Sequence, residues 1–318
     1  MIIKKTGKLS DGFYAVGSST TPIYLLDGPL PVLFDGGFTA LAHHYEAGIK
    51  EILGNREPAY LFLTHSHFDH IGAVSHLKKI WPKLQIGGSS KCHEILLKKS
   101  AVQLIKDLSF ESTKIFKEMG ISPLNEKPFE PFGLDILIKP DQKIELSANQ
   151  SLTALKTPGH TWDFISYWIP EKKILVASEA VAVYEGDGSI QSEFLVDVDA
   201  YLRSLEKLES LGATVLCAGH YAVFTNKDAI DHIRNSVTIT HDYVTMTQRF
   251  IVQEKNDINR VVSRVKAVEW DNRPWPKQPE SAYILNTRQR VKTIWERMKK
   301  RGVFQPKDEV SKRPENRY

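Results

Sequence analysis

The residues with the most chemistry in them are Thr64-His65-Ser66-His67-Phe68-Asp69-His70, with three imidazoles and a carboxylate packed into His65–His70. On an extended backbone alternate residues share a face, so His65 and His67 point the same way. Asp69 and His70 stand where the chain turns towards a helix and can aim at a neighbouring point. Neutral imidazole and carboxylate are good ligands for zinc, iron or manganese, and the group suits two adjacent divalent ions. The bland alternative is a solvated, histidine-rich loop. Against it stands the apolar run Tyr60-Leu61-Phe62-Leu63 immediately before the motif, and Gly72 after it.

Such side chains need rigid elements to aim them. Tyr60–Leu63 predicts a buried strand, and the apolar period from Ile71 to Ile80 predicts a helix. Later apolar runs end in the same fashion. Leu152–Lys156 leads into Thr157-Pro158-Gly159-His160-Thr161, where Pro158 and Gly159 shape a turn that presents the imidazole. Lys173–Ala177 leads into Ser178-Glu179-Ala180, and Thr214–Ala218 leads into Gly219-His220. Upstream, Leu33-Phe34-Asp35-Gly36-Gly37 ends a strand in an acid and two glycines, and Asp35 is either a support for the site or a turn cap. His43 and His44 fall in a helix predicted over Thr39–Leu53 and read as ordinary histidines. Cys92, His93 and Cys217 have no partner at metal spacing and read as structural.

Four motifs in this order resemble the metallo-β-lactamase superfamily of metallohydrolases over about residues 1–221. The resemblance implies an α/β fold, the αββα sandwich, with two mixed sheets face to face, helices outside and the site at one edge. It implies that His65, His67 and His160 hold one ion, that Asp69, His70 and His220 hold the other, and that Glu179 is shared. Glu179 departs from the pattern, because the family usually places aspartate there. A glutamate can bridge only if its backbone sits further back by about one bond length; otherwise Glu185, Asp187 or Glu193 would have to substitute. The implied chemistry is metal-dependent hydrolysis, in which a metal-bridging hydroxide cleaves a thioester, ester or phosphodiester of a small molecule. Asp69 would serve as a catalytic acceptor orienting the water. The implied cofactors are two divalent ions per chain, zinc first, with iron or manganese as alternatives. A second similarity, to the branch containing an alkylquinolone-signal thioesterase, lies in the helix from Asp197 to Leu211 followed by Cys217–His220. The competing function is a binding or regulatory protein whose metal site has weakened, with Glu179 as the first sign.

Composition fits an enzyme of this kind. The chain has 318 residues, 42% hydrophobic, two cysteines and a net charge of +4. That supports a substantial core, a reducing compartment and no commitment to nucleic acid. No apolar run approaches a membrane span and the amino terminus does not read as a signal peptide, so a cytoplasmic protein is expected. Beyond the metallo-β-lactamase-like domain, a mostly helical insertion is expected over about 91–133. Residues 222–318 read as a C-terminal helical extension with a polar tail from about 306. The extension offers either a pocket wall or a homodimer interface.

Overall fold

A computed structural model describes residues 1–274 and 277–303. The expected tail from 306 lies outside the described residues. The first strand, β1 (Ile2–Ile3), leaves for the second sheet. A meander follows: β2 (Gly7–Ser10), β3 (Phe13–Gly17), β4 (Pro22–Leu26) and β5 (Val32–Phe34), all antiparallel. A 3₁₀ turn at Thr39–Leu41 enters α1 (Ala42–Leu53), then come β6 (Tyr60–Phe62), α2 (Phe68–Ile71), α3 (Val74–Ile80), β7 (Gln85–Ser89), α4 (Ser90–Leu96), α5 (Lys99–Glu118) and β8 (Ile136–Ile138). β5 to β8 are parallel, which completes a seven-stranded sheet in the order β2 to β8. The second sheet uses β9 (Gln142–Ser147), β10 (Gln150–Lys156), β11 (Ile165–Ile169) and β12 (Ile174–Val176). After a small hairpin of β13 (Val183–Tyr184) and β14 (Ile190–Gln191) and helix α6 (Val198–Glu209), it closes with β15 (Val215–Cys217) and β16 (Val223–Thr225). Its order is β1-β16-β15-β12-β11-β10-β9.

Strand alternation assigns the two sides of the first sheet. Ile23, Leu25, Leu33 and Leu61 pack under α1 and α3, while Tyr24, Leu26, Phe34 and Phe62 face the second sheet and meet Leu152, Tyr167, Val176 and Cys217. Both sides are covered, so β4 to β6 read in the sequence as unbroken apolar runs. This is the expected αββα sandwich.

Two local expectations need correction. The helix expected from Ile71 to Ile80 breaks at Gly72-Ala73, because the Gly72 and Ala73 amides donate to Gly37 and Gly36 carbonyls at 2.7 and 3.1 Å instead of continuing a helix. A Cβ on Gly72 would lie 2.2 Å from the Thr39 nitrogen. On α6, where leucine spacing in the sequence marks Leu202, Leu205, Leu208 and Leu211 as the buried stripe, the buried face is Tyr201, Ser204, Leu205 and Leu208, whereas Leu202 and Leu211 are only partly buried. Leucines spaced by three drift off a face that repeats every ~3.6 residues.

The described chain divides into two compact units inside α7 (Lys227–Gln253): Met1–Thr240 with Pro274 and Lys277, and His241–Arg273 with Gln278–Val303. The second unit contains α8 (Ile258–Glu269) and α9 (Glu280–Lys300). Its core centres on buried Arg290, whose guanidinium lies 4.4 Å from the Tyr243 ring centroid and 3.1 Å from a Glu269 carboxylate oxygen. No described helix is long and apolar enough to cross a membrane.

Candidate metal centre

Strand register brings the motifs to one edge of the sandwich. Phe34 pairs with Phe62 across parallel β5 and β6, and Asp35 and the Thr64–His70 turn emerge side by side. In the other sheet Val176 pairs with Cys217 across parallel β12 and β15. Glu179 and His220 each lie three residues beyond that pair, so they leave the sheet together. β10 delivers His160 from the neighbouring edge.

All seven expected residues meet there. Donor atoms of His65, His67 and His160 lie within 4.8 Å of one another, as do those of Asp69, His70 and His220, and a third set, His65, His70 and Glu179, joins the two. The His160 Nε2 is 3.1 Å from His67 Nδ1. Glu179 Oε1 lies 2.9 Å from His70 Nε2 and 2.8 Å from His220 Nε2, while its Oε2 is 3.8 Å from His65 Nε2. Asp69 Oδ2 stands 3.8 and 3.6 Å from the Nε2 atoms of His70 and His220. Despite these distances, His65 Nε2, His70 Nε2 and Glu179 Oε1 are buried with no hydrogen-bond partner. Buried polar atoms are almost always satisfied. Close donors that miss one another in angle but converge on shared space are what a cation requires, and this set of nitrogens and oxygens fits zinc or its divalent neighbours.

The far side of most of the rings is already held. His70 Nδ1 is 3.0 Å from Asp35 Oδ2, and Asp35 also accepts from the Thr64 amide at 2.7 Å and the Thr64 hydroxyl at 2.9 Å. His65 Nδ1 is 2.9 Å from that same hydroxyl. His160 Nδ1 meets the Glu193 carbonyl, and His220 Nδ1 lies 3.1 Å from the Thr21 hydroxyl and 3.0 Å from the Thr20 carbonyl. Such outer partners fix tautomer and ring angle for metal ligands. Three buried tyrosines peg the backbone beneath: Tyr167 donates to Leu63, Tyr24 to Ala218 and Tyr45 to Thr21, at 2.7, 2.6 and 3.0 Å.

Glu179 fits because its surroundings are cut to its length. Ser178, at φ 49°, turns the chain out of β12 through the left-handed region, and its hydroxyl donates to Glu179 Oε2 at 2.6 Å. Gly219 leaves the slot open, since a Cβ there would sit 2.3 Å from Glu179 Oε1. Asp35 (φ 64°) and Tyr221 (φ 56°), which borders His220, are also left-handed, so strain gathers around the cluster. The substitutes considered for Glu179 serve elsewhere. Glu193 accepts from Gln191 at 2.7 Å and Asp187 caps Ser189 at 2.8 Å. Among the described residues neither these two nor Glu185 joins a donor group.

The two ends of the cluster differ electrostatically. Burial, with repulsion from neighbouring imidazoles, holds His65 far below the usual histidine range and pushes His160 down to about 3. These rings are neutral, as ligands must be. Burial also opposes charge on His70 and His220, but the adjacent Glu179 and Asp69 carboxylates outweigh it, lifting His70 well up and His220 to about 9. Burial would raise Glu179, yet His70 and His220 hold its carboxyl well below the ordinary value. Among the side chains alone, protons balance the acids at this end, and a cation there would replace them.

A residue the sequence reading passed over is Asp163, three past His160, whose carboxylate is buried without a hydrogen bond. Its only signal in the sequence is its place in Thr157–Asp163. Asp35, which the sequence left between two roles, supports the site.

The sequence profile of the metallo-β-lactamase superfamily matches residues 22–220, from β4 to the last histidine of the cluster. The chain belongs to the metallo-β-lactamase superfamily. Within it, a hydroxyacylglutathione hydrolase of Bartonella tribocorum is 30% identical over 161 residues, covering 50% of this chain and 47% of that protein. An atrochrysone carboxyl ACP thioesterase of Aspergillus fumigatus is 24% identical over 213 residues, covering 67% and 51%. The matches thus span about half the length of these relatives. The solved metallo-β-lactamase family protein TTHA1429 of Thermus thermophilus superposes with a TM-score of 0.64 at 17% identity, over 93% of this chain and 95% of that one, a likeness of fold. Helix α5 touches the motif through aromatic rings: Phe116 of α5 sits 4.9 Å edge-on to Phe38, which sits 5.7 Å from Phe68. Phe68 stands between His67 and Asp69. For turnover of the acyl substrates proposed below, Phe116→Leu, which keeps an apolar side chain but no ring, should change the ratio of kcat/KM between short- and long-chain substrates by roughly 10-fold at unchanged metal content. An unchanged ratio would make α5 a packing element.

Proposed function

We propose that this protein is a dinuclear metallohydrolase that cleaves a thioester, ester or phosphodiester of a small molecule. The observation that carries the reading is the convergence of seven side chains in three overlapping donor sets, with the buried atoms His65 Nε2, His70 Nε2 and Glu179 Oε1 where the sets join. His65, His67 and His160 would hold one divalent ion, Asp69, His70 and His220 the other, and Glu179 would lie between them. When bound, such ions polarise a substrate carbonyl or phosphoryl oxygen and make water a nucleophile near neutral pH. Zinc suits the donors best, with iron or manganese as alternatives.

The chain's own part is to aim and to exchange protons. The Asp69 side chain is 14% exposed against 4% for Glu179, so Asp69 is the carboxylate that solvent and substrate reach. Its Oδ2 faces His70 and His220, which leaves Oδ1 to orient the attacking water and accept its proton. The fixed rings keep their angles during turnover, so little reorganisation accompanies the reaction. No protein nucleophile is needed. Burial raises the thiols of both Cys92 and Cys217 far above the range in which a thiolate forms. Two buried free cysteines also suit a reducing, cytoplasmic setting. The thioester is the favoured substrate class because one relative is named a thioesterase and another a hydroxyacylglutathione hydrolase.

Elemental analysis of protein purified without chelator should find about two divalent ions per chain. Stripping them should abolish turnover of a generic acyl thioester and lower Tm, and zinc should restore both. Fewer than one ion per chain, both as isolated and after reconstitution, would leave the binding or regulatory reading in its place.

A further inference from the structure

A second group of donors lies away from the edge of the sandwich, on the helices that cover the first sheet. His43 and Glu46 stand one turn apart on α1, and His76 faces them from α3. His76 Nε2 is 2.7 Å from Glu46 Oε2, His43 Nδ1 is 3.8 Å from the same oxygen, and the two rings meet edge-on with centroids 4.8 Å apart. The three donor atoms lie within 4.8 Å of one another. A simple His76–Glu46 hydrogen bond would explain one contact. It does not explain why His43, with 45% of its side chain exposed and free to turn to solvent, directs Nδ1 at the same oxygen. The His76 and Glu46 side chains are 18% and 17% exposed, so the group is firmly seated yet open on one side.

We propose that His43, Glu46 and His76 form a further divalent-cation site, distinct from the cluster at the sandwich edge. Two imidazoles and a carboxylate with one open side take zinc, nickel or copper, leaving a position for water. The ion acts as a clip between α1 and α3. Both helices back the cluster: α3 follows α2, which carries Asp69 and His70, and Tyr45 of α1 donates to the Thr21 carbonyl and accepts from the Phe38 amide at 3.2 Å. Thr20 and Thr21 in turn hold His220. Pinning α1 to α3 therefore stiffens the frame behind the Asp69, His70 and His220 end. Lys50 competes for the site, since its ammonium lies 2.5 Å from Glu46 Oε1.

The test is a zinc titration of metal-stripped, full-length protein beside the His43→Ala/His76→Ala variant. The wild type should bind one equivalent more than the variant and gain more Tm on zinc addition. Reading the difference rather than the total keeps this result separate from the loading of the cluster at the sandwich edge. Glu46→Gln, which preserves shape, should weaken the extra equivalent at least tenfold and serves if the double variant misfolds. Lys50→Ala should tighten it several-fold, because it removes the ammonium that pairs with Glu46. Copper bound to this site, in protein whose edge cluster is already filled with zinc, should show two nitrogen ligands by electron paramagnetic resonance. Equal zinc uptake by wild type and both ligand variants would overturn the proposal.

Discussion

Glu179→Ala should reduce bound metal from about two ions per chain to about one and lower kcat at least ~10³-fold. The carboxylate lies between the two groups of donors, with Oε1 beside His70 and His220 and Oε2 towards His65. Without it, two dications would share a partly dry site with less negative charge between them, and their repulsion at such range is strong. Glu179→Asp separates length from charge. Because Ser178 and Gly219 shape the slot for glutamate, aspartate should fall short by roughly one bond length and cost about 10-fold or more in activity. Gly219→Ala should cause a comparable loss, since its Cβ would stand 2.3 Å from Oε1. Combining Gly219→Ala with Glu179→Asp should recover part of it, because the shorter acid clears the methyl group. Elemental analysis and steady-state kinetics on the four variants and the wild type check this. If Glu179→Asp proves more active than the wild type, the slot is not fitted to glutamate, and unchanged metal and rate in every variant would remove Glu179 from the ligand set.

The second large effect is expected at Asp35. Its two oxygens serve His70 Nδ1 and both the amide and hydroxyl of Thr64, and the Thr64 hydroxyl also meets His65. One carboxylate thus sets two rings, one from each proposed metal group. Asp35→Asn keeps the size, and asparagine tolerates the left-handed φ of 64°, but an amide cannot accept on both sides. Metal affinity should fall by about 10–100-fold with the fold intact. Asp35→Ala should in addition lose about 3–5 kcal/mol of stability, because buried partners are left unpaired. Urea unfolding of metal-stripped protein isolates that cost, and zinc titration by competition with a chromophoric chelator reads the affinity. A wild-type affinity in Asp35→Asn would return Asp35 to the role of a turn cap.

The fold class and the members of the cluster were legible in the chain because their signals are local. A buried strand is an apolar run, and Thr64–His70, Thr157–Thr161 and Gly219-His220 each follow one directly, the last two with a glycine immediately before the histidine. Glu179 was legible as a donor for the same reason, but not its fit. That depends on Gly219 and on register between β12 and β15, and the missing Cβ that makes room belongs to a different strand end. The same holds for the supports: nothing near His220 in sequence announces Thr20 and Thr21, and nothing near His160 announces the Glu193 carbonyl. The break at Gly72 escaped the helical period because its amide is claimed by Gly37, a partner beyond the end of β5, distant in the chain. His43 read as an ordinary helix residue, which is all that its own helix says of it. Only the packing of α1 on α3 sets His76 against it, since side chains on different elements become neighbours through tertiary contact and through no pattern along the chain.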